Sequence, residues 1–308
     1  MATCLVTGGA GFIGSHLSAA LLDRGHNVRI VDDLSTGMIQ NVPAGAEFVR
    51  GDLTDPATAG AAVEGCEFVF HQAAIASVPL SISEPRVSHD ANINATFNVL
   101  MASRDFGVRR VVFAASSAVY GDDPILPKVE GMPSNLQSPY ALHKQVGEDY
   151  CRLFHRLYGL ETVSIRYFNV FGPRQSPSSP YSGVLSLFIK AALAGRAATI
   201  YGDGEQTRDF TFIDNVVDGV LRCMDAVGVA GEVINVATGV RTSLNQAWTT
   251  LSDILGPLPE PVYQPSRVGD VRHSQADIGK AEDLLGYRPG VDFDEGLRRT
   301  VEWAQAVT

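Results

Sequence analysis

TCLVTGGAGFIGSHLSAALLDRGHNVRIVD, residues 3–32, decides the fold. A short apolar run, Cys4-Leu5-Val6, leads into Gly8-Gly9-Ala10-Gly11-Phe12-Ile13-Gly14, and apolar residues then recur through Leu17, Leu21 and Leu22. This is the text of a strand, a tight turn and a helix. A second apolar run, Val28 to Val31, completes a βαβ unit and ends on Asp32, 18 residues after Gly14. Each glycine answers a steric demand. Gly8 permits the sharp strand-to-helix turn, Gly11 lets the backbone approach a pyrophosphate, and Gly14 lets the helix pack on the strand, with the phosphate charge at the helix N-terminus. An acid ending the second strand accepts hydrogen bonds from both hydroxyls of an adenosine ribose. Asp32 repels a 2′-phosphate, and no basic residue follows until Arg50, so NAD is expected before NADP. The spacing is GxxGxxG, not GxGxxG, and glycines alone also mark ordinary turns; the flanking strand, helix and acid carry the assignment.

Composition narrows the classes. A chain of 308 residues holds one large α/β domain, or one carrying a smaller lobe. Hydrophobic residues at 45% and charged residues at 19% are ordinary for a globular protein, and no apolar run approaches the ~18 residues of a membrane span. The net charge is −10 with no Lys/Arg cluster, which removes the electrostatic basis for nucleic-acid binding. Cys4, Cys66, Cys151 and Cys223 lie far apart with no CxxC, as expected of reduced thiols and not of a zinc site. The first residues run directly into a strand with no basic leader, so a cytoplasmic location is expected.

Strand and helix signals alternate along the chain. Strands are expected at 47–50, 68–71, 110–115 and 162–167, and helices at 57–63, 84–106 and 139–158. Thr54-Asp55-Pro56 supplies a helix start. This alternation implies a doubly wound parallel sheet, a Rossmann fold, whose ligands sit at the carboxyl ends of the strands. From Gly172 onward the text becomes rich in Pro and Ser and the elements shorten. An NAD-binding domain over 1–170 and a smaller C-terminal substrate-binding lobe over 171–308, interleaved with returns to the first, are expected.

Tyr140-Ala141-Leu142-His143-Lys144 sets a phenol and an ammonium four residues apart on one helix face. The cation is expected to lower the tyrosine pKa from about 10 toward the working pH, suiting it to general base and acid work. Alone, YxxxK is more often a surface tyrosine beside a solvated lysine. Ser116, ending the fifth strand 24 residues earlier, can relay a proton to the phenol, and Ser117 is the adjacent alternative. His71 and His143 have no partner at metal-ligand spacing and are read as structural.

TGGAGFIGSHL, Asp32, Gly51-Asp52-Leu53, SSAVYG, SPYALHK, RYFNVFGPRQ and GDGEQTRDF together resemble the extended short-chain dehydrogenase/reductases, and within them the UDP-hexose 4-epimerases. HQAAIASVP, RTSLNQ and GDVRHSQADI are similar to the subgroup acting on UDP-N-acetylglucosamine. The resemblance spans about residues 3 to 290. It implies that Tyr140 takes the sugar O4 proton while C4 hydride passes to tightly held NAD, that the 4-keto sugar turns about its pyrophosphate link, and that hydride returns to the other face. Lys144 then holds the nicotinamide ribose and Ser116 orients O4.

It also implies a cofactor set. Phe12 and Ile13 offer backbone amides to phosphate, Asp33, Leu34, Ser35, Thr36 and Gly37 follow the acidic Asp32, and Asp52 and Leu53 flank the adenine. Gln72, Ala73, Ala74, Ala76, Asn92, Ala114 and Tyr167 complete it. On the substrate side the implied residues are Ser77, Ser116, Ser117, Tyr140, Asn169, Val184, Phe188, Tyr201, Arg208, Arg241, Arg267, Asp270 and Ser274. Three arginines in loop-like text of an acidic protein suit a diphosphate. No metal is implied, and a homodimer through the helices at 84–106 and 139–158 is.

Relatives that dehydrate or decarboxylate nucleotide sugars carry an acid after or near the strand-end Ser/Thr; here Ser117 and Ala118 stand there, which favours epimerisation. Ser274 matches the position whose bulk limits the C2 substituent, so its small side chain predicts room for an N-acetyl group. The rivals are a nucleotide-sugar dehydratase on the same scaffold and a non-catalytic NAD-binding sensor.

Overall fold

The computed structural model describes residues 1–175, 183–266 and 271–307. Six strands arise in the first 170 residues: β1 (Thr3–Thr7), β2 (Asn27–Asp32), β3 (Glu47–Arg50), β4 (Phe68–His71), β5 (Arg110–Ser116) and β6 (Glu161–Tyr167). Three small two-stranded sheets follow, pairing β7 (Asn169–Phe171) with β10 (Phe210–Phe212), β8 (Thr199–Tyr201) with β13 (Val262–Gln264), and β9 (Thr207–Arg208) with β12 (Thr242–Ser243). The strand β11 (Val233–Val236) returns to the main sheet, whose order is β11-β6-β5-β4-β1-β2-β3 with every pair parallel.

The helices are α1 (Phe12–Asp23), α2 (Pro56–Val63), α3 (Val78–Ser83), α4 (Pro85–His89), α5 (Ala95–Asp105), α6 (Pro139–Tyr158), α7 (Val184–Leu193), α8 (Ile213–Asp225), α9 (Leu244–Leu255), α10 (Gly279–Leu285) and α11 (Phe293–Val307). They cover both faces of the sheet, which is why its strands read as continuous apolar runs and not as alternating ones. Successive residues of β1 divide between two cores. Cys4 and Val6 join the core shared with α1 and α8, and Leu5 joins the one shared with α2, α5 and α6.

Local chemistry explains the helix ends. In α6, Ser138 Oγ accepts from Ala141 N at 3.2 Å, Pro139 opens the first turn, and Gly159 closes the helix at φ 72°. The carboxylate of Asp55 caps α2 in the same way through Ala57 N and Thr58 N. The segment 84–106 differs from the single regular helix expected: α4 passes into α5 through a π-helical turn, Asp90–Asn94. That turn faces Asn92 inward, where its side chain bonds both Ile75 N (2.9 Å) and Ile75 O (3.1 Å).

Packing does not break near residue 170. One apolar cluster runs from Cys4, Val6 and Leu17 through Phe171 and Phe212 to Trp248, Leu251 and Val301. Among the described residues no helix is long and apolar enough to cross a membrane, and the four cysteines are free and buried.

Helix α6 rests on β5 through Gly147: a Cβ there would lie 2.3 Å from Phe113 Cζ. Gly147→Ala is expected to overpack this contact and cost about 1–3 kcal/mol. Urea unfolding checks it, and an unchanged midpoint would contradict the contact.

Candidate active site

A cleft of about 620 Å³ follows the carboxyl ends of β1 to β6. At one end, Gly8 turns at φ 65° and its N–H donates to Val31 O at 2.8 Å. A Cβ on Gly8 would meet Ala73 Cα at 2.8 Å, and one on Gly14 would meet Gly8 O at 2.3 Å. Gly11 stands at the N-cap of helix α1 and offers no side-chain cap, and Phe12 and Ile13, whose amides open the first turn, line the cleft. Asp32 is 8% exposed; Oδ2 accepts from Ala10 N (3.0 Å) and Oδ1 from Leu34 N (2.8 Å). Burial raises its pKa and those two bonds oppose the rise. Gly37 leaves room for the carboxylate, since a Cβ there would sit 2.9 Å from both oxygens.

At the other end are Ser116, Tyr140 and Lys144. Ser116 Oγ accepts from Ala118 N at 3.1 Å, and Ser116 stands close enough to the Tyr140 phenol to act on its pKa. Ser81 Oγ accepts from Tyr140 N at 3.1 Å, pinning that residue to α3. Lys144 is 4% exposed; its Nζ donates to Ala114 O at 2.7 Å and lies 5.9 Å from the Tyr140 ring centroid. Burial pushes its pKa down to about 8, while the Glu148 carboxylate works upward.

The lowered tyrosine pKa expected from YxxxK is not found. Burial raises Tyr140, and Ser116 is what acts downward. The physical reason is burial: the phenol is removed from water, and the Lys144 ammonium is hydrogen-bonded to the Ala114 carbonyl, 5.9 Å from the centroid of the phenol's ring.

The cleft brings together Gly8, Gly11, Phe12, Ile13, Gly14, Asp32, Asp33, Ser35, Thr36, Asp52, Leu53, Gln72, Ala73, Ala74, Ala76, Ser77, Ala114, Ser116, Tyr140, Lys144 and Tyr167. Leu34 and Gly37 shape the Asp32 loop from outside it. Asn92 stands behind the wall, its amide committed to Ile75 and to Ser88 Oγ. Ser117 opens the 3-10 turn Ser117–Tyr120 and does not line the cleft. Phe188, on α7, is 2% exposed and packs edge-on to Trp248 at 5.6 Å. Val184 starts that helix against the same core.

The walls missed from sequence include Gly51, Ile75, Leu80, Phe168, Val170 and Gln175. All but Gln175, whose amide is committed to Val170 O and Ser186 Oγ, are apolar or glycine surfaces whose residue types announce no chemistry; only the continuation of RYFNVF past Tyr167 could have pointed to Phe168 and Val170. Gln72 adds an electrostatic feature, for Oε1 accepts from Tyr167 Oη at 2.9 Å while the buried Nε2 has no partner among the described residues.

Outside the residues that line the cleft, a cationic cluster gathers around Thr207. Arg208 Nη1 donates to Thr207 O at 2.9 Å, and Ser274 N donates to the same carbonyl at 3.1 Å. His273 Nδ1 is 2.9 Å from Thr207 Oγ1, and burial and then Arg241, Arg272 and Arg208 push its pKa down. Arg272 was not expected here; it is paired with Asp203 at 2.7 Å. The node holding these loops is Asp209, wholly buried, which accepts from Thr238 N, Thr238 Oγ1, Gly239 N and Ala276 N. Asn169 is exposed at the start of β7, and Tyr201, at the end of β8, gives its carbonyl to Gln206 Nε2. Arg267 and Asp270 lie outside the described residues.

The model of the NAD dependent epimerase/dehydratase family matches residues 4–237. The chain belongs to this family. This family member is 42% identical over 306 residues to the UDP-glucose 4-epimerase of Mycolicibacterium smegmatis, with 97% of each chain covered. Its fold superimposes on a UDP-glucose 4-epimerase from Thermotoga maritima solved with UDP-glucose, at TM-score 0.96, 38% identity and 99% coverage of both. It is equally similar to a UDP-N-acetylglucosamine 4-epimerase from Methanobrevibacter ruminantium in complex with UDP-N-acetylmuramic acid, at TM-score 0.95, 39% identity and coverage of 100% and 99%. A relative from Bacillus cytotoxicus, 33% identical over 326 residues with 99% and 98% covered, is a UDP-N-acetyl-alpha-D-glucosaminuronate decarboxylase.

Proposed function

We propose that this family member is an NAD-dependent 4-epimerase of UDP-hexoses, acting on UDP-Glc/UDP-Gal and on their N-acetylated counterparts. The observation that carries the reading is the distribution of acids. Asp32, Asp33 and Asp52 are the carboxylates lining the cleft among the described residues, and all three stand at the carboxyl ends of β2 and β3, not on the elements that carry Ser116 and Tyr140. Elimination and decarboxylation call for further proton management beside the sugar, whereas epimerisation needs one group that accepts and returns the same proton.

The residues fit NAD. Gly14 lets α1 approach so closely that a Cβ would strike Gly8 O, the uncapped first-turn amides suit a pyrophosphate, Asp32 keeps lone pairs for a ribose diol, and Gln72 Nε2 is an unused donor. When bound, NAD supplies the two-electron acceptor and donor for C4 of the sugar. Tyr140 accepts the O4 proton as C4 is oxidised and returns it after the 4-keto sugar has turned, with Ser116, beside the phenol, orienting O4. Lys144 holds its charge beside that ring. Arg208 and Arg241, with Arg267, hold the substrate pyrophosphate, and Asp270 its ribose.

The purified protein, with and without added NAD, is to be incubated with UDP-Glc and with UDP-GlcNAc while the anomeric protons are followed by NMR. C4 epimers of both are expected, and Tyr140→Phe is expected to lower kcat by about 10²–10⁴-fold. A persistent 4-keto product or loss of CO₂ from a uronate substrate would replace the reading. Ser274→Tyr is expected to abolish turnover of the acetylated pair and spare the other; equal loss, or none, would refute that gate.

The same reading includes a homodimer through α5 and α6, which expose Phe97, Leu153, Leu157 and Tyr158. Sedimentation should give twice the chain mass, and a single-chain mass at micromolar concentration would remove this part.

A further inference from the structure

The face of α6 that carries Tyr140 and Lys144 continues one turn to Glu148, since positions four apart stand above one another on a helix. Glu148 is wholly buried. From β6, Arg166 reaches it with two parallel bonds, Nε to Oε1 at 2.8 Å and Nη2 to Oε2 at 2.7 Å. Arg166 is fixed in turn by Glu130 O at 3.3 Å and by the Tyr120 ring, 4.7 Å beneath its guanidinium. Tyr120 Oη donates to Asn235 Oδ1 at 2.7 Å, so the clamp is tied to β11 at the sheet edge. The proton chemistry above uses none of this, and a buried ion pair often stabilises less than apolar groups of the same size.

We propose that Glu148 is a positioning residue for Lys144: clamped by Arg166, its carboxylate is the buried counter-charge that keeps the Lys144 ammonium protonated beside Tyr140. This rests on the epimerase reading for its catalytic meaning.

The groups facing Lys144 leave that part to Glu148. On its own helix, Tyr140 is a neutral phenol and burial pushes the Cys151 thiol up to about 12. His143, next in sequence, is pushed down by burial. From β4, His71 is held near 3 by burial and by the Lys144 charge itself, and is neutral. From β5 come the Ala114 carbonyl and the Phe113 ring, its centroid 5.1 Å from Nζ. From β6, Arg166 presents its charge to Glu148, leaving the carboxylate as the anion acting on Lys144 among the described residues. Burial alone favours the neutral amine, so the ammonium depends on that anion.

The chain has four lysines, Lys128, Lys144, Lys190 and Lys280, so ¹³Cε-lysine labelling of the full-length protein yields few signals, and Lys144→Met assigns the one of interest. In the Glu148→Met/Arg166→Met double variant, which leaves no orphaned buried charge, the Lys144 midpoint is expected to fall by about one pH unit, a tenfold change in protonation. The alkaline limb of kcat/KM should move down with it, because the active form carries the ammonium. Glu148→Gln should shift both at least as far, since Arg166 then stands unbalanced, and Glu148→Asp, which keeps the charge, should leave both within a few tenths of a unit. Unmoved midpoints in either neutral variant, or a shift in Glu148→Asp as large as in Glu148→Gln, would overturn the proposal. A midpoint shifted in the variants as expected, when the wild-type protein itself has no epimerase activity, would instead sink the functional reading and leave the electrostatic coupling intact.

Discussion

The contact on which the cleft depends is the approach of α1 to the turn that precedes it. The helix can start within reach of Gly8 only because Gly14 has no side chain, and Gly8 can turn under Ala73 only because it too has none and adopts a positive φ. Through Gly8 N and Val31 O the same turn is tied to the neighbouring strand. Three strand ends and one helix start therefore meet with no room for adjustment, and the Asp32 loop and the Gln72–Ser77 wall are placed relative to that point.

A second device fixes the wall from behind. Ala73 N donates to Thr7 Oγ1, and Thr96 Oγ1 donates to Asn92 O. Both hydroxyls also contact His71, at 2.7 Å from Nδ1 and 3.0 Å from Nε2. With the Thr96 proton already committed, His71 must donate from Nε2 and accept at Nδ1 from Thr7, which is the neutral imidazole that burial enforces. A neutral histidine thus joins β1, β4 and the start of α5, and Asn92, in the π-helical turn just before it, grips Ile75 at the cleft wall. On the far side Asp209 does the same for three loops, its four accepted bonds compensating a carboxylate removed from water.

The chemistry end is arranged by burial more than by proximity. A lysine four residues beyond a tyrosine on a helix can stabilise its phenolate, but here Nζ donates to a main-chain carbonyl and burial dominates the phenol. The phenol is governed by burial and by Ser116, and the lysine by burial and Glu148. The proposed proton traffic therefore runs through Ser116 and Tyr140, with Lys144 as a held charge whose protonation rests on a neighbouring ion pair.

Much was legible in residues 3–32 alone, because backbone demands there select residue types: a glycine where φ is positive or a Cβ would collide, an acid at the end of β2, apolar runs where a strand is buried on both faces. The start of α2 was legible for the same reason, since Asp55 and Pro56 each meet a local requirement. The interrupted helix at Asp90–Asn94 was not, because its apolar spacing continues through the π-turn that the Asn92–Ile75 bonds accompany. Nor were the apolar walls Phe168 and Val170, or the turning of Phe188 into the core, since an apolar residue carries no mark of which face will bury it. Sequence by itself determined the order of elements and the identity of the reactive groups. Tertiary structure decided which of those groups meet and what charge they hold, because the Glu148–Arg166 clamp, the Asp209 node and the Lys144–Ala114 bond join residues 18 to 67 positions apart, where no local rule reaches.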